Sequence, residues 1–108
     1  MKKYLAVFVA PPEAYDKMKS MSPEDSKAEM DQWNVWMEAH KEHVVDPGAP
    51  VGSAKRVNSE GVTDMRNTIG GYMIVQAETH EEAARIFEDS PSHGMEDGAI
   101  DVMEIVEM

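Results

Sequence analysis

Lys2-Lys3-Tyr4-Leu5-Ala6-Val7-Phe8-Val9-Ala10 alternates without a polar side. Read as a strand, it puts Leu5, Val7 and Val9 on one face and Tyr4, Ala6 and Phe8 on the other, so neither face suits water. Tyr72 to Ala77 behaves the same way, with Met73 and Val75 opposite Tyr72 and Ile74. A third two-sided segment closes the chain, where Ile100, Val102, Val106 and Met108 alternate against Met103 and Ile105.

Between these strands lie two helix signals. Ser22-Pro23-Glu24-Asp25 supplies an N-cap, a proline at the first helical position and two carboxylates at the positive helix end. Met30, Trp33, Met37, His40 and Val44 then recur at three- and four-residue spacing, predicting a helix of about 20 residues that ends near His43. Thr79-His80-Glu81-Glu82 is a capping box, and Ala83, Ala84 and Phe87 give the helix it opens a modest apolar stripe to about Asp89. The polar stretch around Ala14, Met18 and Met21 reads equally as a helical turn or a packed loop. Val44 to Pro50 reads as a short extended piece followed by a turn-rich connection, because two prolines and a glycine cannot continue a helix. Ala54 to Val57 is the second strand by this reading, with Asn58-Ser59-Glu60-Gly61 as a hairpin turn into Val62-Thr63.

The resulting order is strand, helix, strand, strand, helix, strand. That is the ferredoxin-like split βαβ arrangement of the α+β class, a four-stranded antiparallel sheet with both helices on one face. Two helices cover one side only. A bare antiparallel face should show polar residues on every second position, and its absence predicts that a second sheet covers it. The expected partner is another copy of the chain, giving a homodimer with two sheets face to face as a dimeric α/β barrel.

Composition narrows the functions. The 108 residues make one domain, with 42% hydrophobic residues available for a core. Ten Lys and Arg against 21 Asp and Glu leave a formal charge of −11, which opposes nucleic-acid and anionic-membrane partners. No cysteine is present, so disulfides, thiolate nucleophiles and cysteine-held metals are excluded. Met1-Lys2-Lys3 and the apolar run behind it imitate a secretory signal, but Pro11-Pro12 ends the run and no stretch approaches a membrane span, so a cytoplasmic location is expected. No cofactor-binding fingerprint is found.

Several segments, in order, resemble one family. They are Met1-Lys2-Lys3-Tyr4-Leu5, Val45-Asp46-Pro47-Gly48-Ala49-Pro50-Val51-Gly52, Gly61-Val62-Thr63-Asp64, Gly70-Gly71-Tyr72-Met73-Ile74-Val75 and Ile105-Val106-Glu107-Met108. Together they are similar to the YCII-related family, and more narrowly to its DGPF-type branch, over residues 1–108 as a single domain. The resemblance implies a dimeric α/β barrel. It also implies small-molecule chemistry of the lyase or dehalogenase type through a His-Asp dyad, or alternatively a non-catalytic accessory role beside a sigma factor. Asp64 matches the aspartate of the DGPF motif, but Met65-Arg66-Asn67 stands where the family has Gly-Pro-Phe. His93 follows Ser92 rather than standing directly after Pro91.

The candidate site follows from both lines of reading. His93, in a loop expected at the barrel mouth, is the candidate general acid or base, since imidazole titrates near neutral pH. Its plainer reading is an exposed loop histidine. Asp64 would orient or assist His93, and Arg66 would grip a ligand's polar group; otherwise they are a turn cap and a solvated side chain. Tyr72, behind two glycines, is the second candidate ligand-binding residue. Trp33 and Trp36 could stack on a ring, although such a stripe more often packs in a core. His40 and His43, one turn apart, have metal-ligand spacing but no third ligand at a recognisable distance in sequence, and no metal is expected. His80 reads as a surface residue.

Overall fold

A computed structural model describes residues 1–91 and 98–107, with the backbone alone for 17–19. In chain order it contains β1 (Lys2–Val9), α1 (Pro12–Lys19), α2 (Pro23–Ala39), β2 (Val44–Pro50), β3 (Ala54–Asn58), β4 (Gly61–Met65), β5 (Ile69–Ala77), α3 (His80–Arg85) and β6 (Ala99–Glu104). The main sheet has the order β2-β5-β1-β6, and every neighbouring pair is antiparallel. This is the α+β, ferredoxin-like order expected from the sequence. Its second strand, however, is β2, not the predicted Ala54–Val57 segment.

That displacement has a physical cause. Asp46-Pro47-Gly48-Ala49-Pro50 has the composition of a turn, yet it runs along the edge of the sheet, where a missing amide donor costs no ladder bond on the solvent side. The two prolines leave their mark in the register: Val44 faces Val75, Asp46 faces Ile74 and Ala49 faces Tyr72, with an irregularity in each interval. The Asp46 carboxylate accepts from the Gly48 amide at 2.8 Å, turning the chain locally. Ala54–Asn58 instead pairs with Gly61–Met65 in a separate two-stranded sheet. Local hairpin chemistry was correctly legible there, but it carries no information about which sheet a hairpin joins.

The helices begin where their caps place them. The Ser22 hydroxyl accepts from the Asp25 amide at 3.1 Å, and Thr79 does the same for Glu82 at 3.1 Å. α2 stops at Ala39 and is capped by His40, short of the predicted end near His43. The segment containing Ala14 is a helix, α1. The last strand ends at Glu104, before the predicted Met108.

α2 and α3 cover one face of the sheet. Tyr4, Ala6, Met73, Val75 and Ala77 pack there against Trp36, Ala83, Ile86 and Phe87, with Phe8 and Trp33 at the margin. The buried residue of α2 is Trp36, whereas Met30 is 66% exposed, so the inward stripe is Trp33, Trp36, Met37 and His40. Trp36 stacks on Phe87 at a centroid distance of 5.2 Å. Its indole N–H donates to the Ile86 carbonyl at 3.2 Å and the Asp89 carboxylate at 3.1 Å. No helix among the described residues is long and apolar enough to cross a membrane.

Candidate functional site

A cavity of about 340 Å³ opens where β2, β5, the end of β1 and α2 meet. Its origin is a run of missing side chains. Gly70 and Gly71 bring no side chain of their own to it, Tyr15 covering the first of them, and Pro47-Gly48-Ala49-Pro50 contributes a wall of small or rigid residues. Gly48 adopts φ +68°, and a Cβ there would lie 1.8 Å from the Tyr72 carbonyl oxygen. Only glycine lets β2 approach β5 this closely.

Aromatic rings supply the rest of the enclosure. Trp33, from α2, meets Phe8 edge-on at 5.4 Å and 82°. Tyr15, from α1, lies over Gly70 so closely that a Cβ on that glycine would sit 2.3 Å from the ring. The Tyr15 hydroxyl donates to the Thr68 carbonyl at 2.5 Å and lies 3.3 Å from that of Phe8, tying α1 across the ends of β1 and β5. Burial pushes the Tyr15 phenol above the usual tyrosine range, against a smaller lowering from backbone hydrogen bonding at Ala10. It therefore stays protonated near neutral pH and keeps its donor. Glu29 is the one charged side chain among the described lining residues. Such a space can hold a flat apolar ring against aromatic walls and offers a carboxylate to a donor group.

Of the sequence-derived site residues, Tyr72 lines this cavity. Asp64 and Arg66 do not appear among its described walls. Asp64, with 87% of its side chain exposed, pairs with Lys55 across the β3–β4 hairpin. Arg66 places one guanidinium nitrogen 3.0 Å from both Asp16 carboxylate oxygens and 3.1 Å from the Pro12 carbonyl. It thus braces α1, the helix that carries Tyr15. His93 lies outside the described residues.

Sequence reasoning missed Tyr15, Glu29 and the β2 wall. The available signal was Gly70-Gly71: two adjacent glycines in a strand leave a hole that a neighbouring aromatic must either fill or border.

The remaining histidines have structural partners. His40 Nε2 lies 3.2 Å from Asp89, while His43 Nδ1 contacts the Gln76 carbonyl at 2.9 Å, so the two turn to different neighbours. His80, expected to be a plain surface residue, stacks on Tyr4 at 5.1 Å and donates from Nε2 to the Val102 carbonyl at 2.7 Å. Among the described residues, no three His, Asp or Glu side chains converge as a metal site. Asp89 feels two opposing influences: burial raises its pKa, while hydrogen bonds from Trp36 and His40 and the His40 charge lower it. The lowering wins.

No protein-family profile matches the chain, and no curated protein does. Among solved structures, the chain is similar to 5-chloro-2-hydroxyhydroquinone dehydrochlorinase from Burkholderia phenoliruptrix in complex with 2,5-dihydroxybenzoquinone. The two share 15% sequence identity over 94% of this chain and 91% of that chain, with a TM-score of 0.48.

Proposed function

We propose that this protein binds a small ring-containing molecule in the cavity between β2, β5 and α2. The observation that carries the reading is the glycine floor at Gly70-Gly71 enclosed by Phe8, Tyr15 and Trp33. Flat apolar walls with few polar groups favour an aromatic guest, since burying a ring removes a large apolar area from water. The neutral probe 2-phenylethanol tests it by amide NMR. Saturable shifts confined to Gly48, Gly70, Gly71 and the Trp33 indole are expected. Their absence up to about 10 mM, near the weakest affinity a specific small-molecule site would show, would refute the reading and favour a protein-interaction module.

The chemistry proposed on such a ligand is proton transfer or elimination. In the elimination, a C–H proton passes to the base as the leaving group departs from the neighbouring carbon with its electron pair. His93 is the proposed acid or base and Asp64 its orienting partner, with Tyr72 and Arg66 holding the ligand. Support comes from the family resemblance and, for Tyr72, from its place in the wall. Chloride release from a panel of β-chlorinated cyclic ketones, whose acidic C–H lies beside the carbon that bears chlorine, is the assay. Release that survives His93→Ala unchanged would remove His93 from the reaction.

Self-association belongs to the same proposal. On the sheet face opposite α2 and α3, Leu5 lies between Ile74 and Met103 in register. Met103 is 44% exposed and Ile105 40%, while the β3–β4 hairpin holds up Val57 and Val62 at 73% and 64%. An apolar row across three adjacent strands favours a second sheet as its cover. Sedimentation should give a dimer that Ile74→Glu converts to monomer. A wild-type monomer at micromolar concentration would refute it.

A further inference from the structure

Glu29 occupies an unusual place in this site. α2 exposes nearly all its acidic residues, but Glu29 is half-buried and borders the aromatic cavity. Among the described residues it makes no hydrogen bond or ion pair, in contrast to Glu38, which pairs with Lys41, and Glu81, which pairs with Arg85. The described cavity lining contains no Lys, Arg or His to balance it. A carboxylate that borders an aromatic cavity, with no neutralising group among the described lining residues, is an incomplete ion pair.

We infer that the cavity selects a ring compound bearing a cationic amine, with Glu29 as the specificity-determining residue that receives the ammonium group. This rests on the proposal that the cavity is a ligand site, and it names the class of ligand. Three features converge on the same charge. Glu29 supplies the counter-ion. Trp33 and Tyr15 are aromatic walls of the cavity, and the negative quadrupole of an aromatic ring attracts a cation within about 6 Å. The formal charge of −11 on the whole chain works against an anionic guest at long range. A neutral hydroxyl would satisfy Glu29 with one hydrogen bond but would gain nothing from the other two features.

The experiment compares three ligands that share a phenylethyl body: 2-phenylethylamine, 2-phenylethanol and 3-phenylpropanoate, titrated at pH 7.5 and followed by calorimetry and by the Gly48, Gly70 and Gly71 amide resonances. The amine is expected to bind about tenfold tighter than the alcohol, and the carboxylate about tenfold weaker, the scale of one partly screened charge contact. Glu29→Gln should bring the amine level with the alcohol while leaving the alcohol within about twofold of its original affinity. Glu60→Gln, which removes the same charge from the exposed hairpin, should keep the amine preference.

An alcohol that binds as tightly as the amine, or a preference that survives Glu29→Gln, overturns the inference and leaves the cavity reading standing. A preference lost equally in Glu60→Gln also overturns it, by assigning the effect to net charge. If none of the three ligands moves the glycine amides, the cavity reading itself fails and this inference with it.

Discussion

The approach of β2 to β5 rests on Gly48, and three glycines separate the contributions to its cost. Gly48 combines a left-handed φ of +68° with a Cβ position 1.8 Å from the Tyr72 oxygen; Gly61 has φ +122° with nothing within 4 Å; Gly52 has neither constraint. For Gly48→Ala, the left-handed backbone costs about 1–2 kcal/mol. The clash is with backbone, so it can be relieved only by moving β2 more than about 1 Å outward, since ordinary Cβ contacts lie beyond about 3 Å. That movement breaks the Ala49–Tyr72 and Pro50–Gly71 pairing and the 3.0 Å bond from the Val51 amide to the Gly70 carbonyl. Two or three backbone bonds at about 1 kcal/mol each bring the total to about 3–5 kcal/mol. In a domain of this size, that lowers Tm by roughly 15–30 °C. Gly61→Ala should cost about 1–3 kcal/mol for its backbone alone. Gly52→Ala should fall within about 0.5 kcal/mol of the parent protein. Urea unfolding at fixed protein concentration, followed by tryptophan fluorescence and circular dichroism, measures all three. If Gly48→Ala and Gly52→Ala unfold at the same midpoint, β2 does not approach β5 as described and the cavity wall is wrongly placed.

Trp36→Phe keeps the stacking on Phe87 but strips the donor from the Ile86 carbonyl and the Asp89 carboxylate, so a loss of about 2–4 kcal/mol is expected in the same assay; a loss below about 0.5 kcal/mol would show that the indole hydrogen bonds are not made. Asp89 has a folded pKa below the ordinary carboxylate range, so its contribution is present above the unfolded value and disappears as pH falls through the folded one. The stability gap between the parent protein and Asp89→Asn, measured by urea unfolding, should therefore close between about pH 5 and pH 2, and because that side chain is 69% exposed the gap should stay under about 1 kcal/mol. A gap that widens toward acid would reverse the sign of the argument. Gly71→Ala places a Cβ 3.3 Å from the Ala49 oxygen and 3.5 Å from the Phe8 ring. It should change stability by less than about 1–2 kcal/mol while weakening 2-phenylethanol several-fold; unchanged affinity would move the ligand away from the glycine floor.

Local chemistry made the helix starts legible, because Ser22-Pro23 and Thr79 act on amides three residues away. The two-sided strands β1 and β5 were legible from alternation for the same reason. β2 was not, since proline and glycine report what a segment cannot do and an edge strand asks little of it. The inward face of α2 was read in part: Trp33, Met37 and His40 lie on it as expected, but Met30 is exposed and the buried Trp36 was left out. Spacing from Trp33 allows both Trp36 and Met37, and it is contact with Phe87, distant in sequence, that makes Trp36 the buried one. Candidate site residues divided along the same line. The place of Tyr72 in the cavity wall was legible because Gly70 and Gly71, which also line it, are its neighbours in sequence. Tyr15 and Glu29 reach the cavity through helix placement, which no local pattern encodes.

The cavity also explains why its walls carry so little flexible side chain. Apolar surfaces that face each other across a wet gap gain free energy by closing, so an open cleft persists only where its boundaries cannot move. Pro47 and Pro50 fix φ on one side, Gly48 is wedged against the Tyr72 carbonyl, and Tyr15 is held at its far end by the Thr68 carbonyl. Arg66, through Asp16 and the Pro12 carbonyl, holds the helix from which Tyr15 projects. Among the described wall residues Glu29 alone is charged, and it makes no hydrogen bond or ion pair there, so its carboxylate is the group that an arriving ligand can engage without first breaking a described contact within the protein.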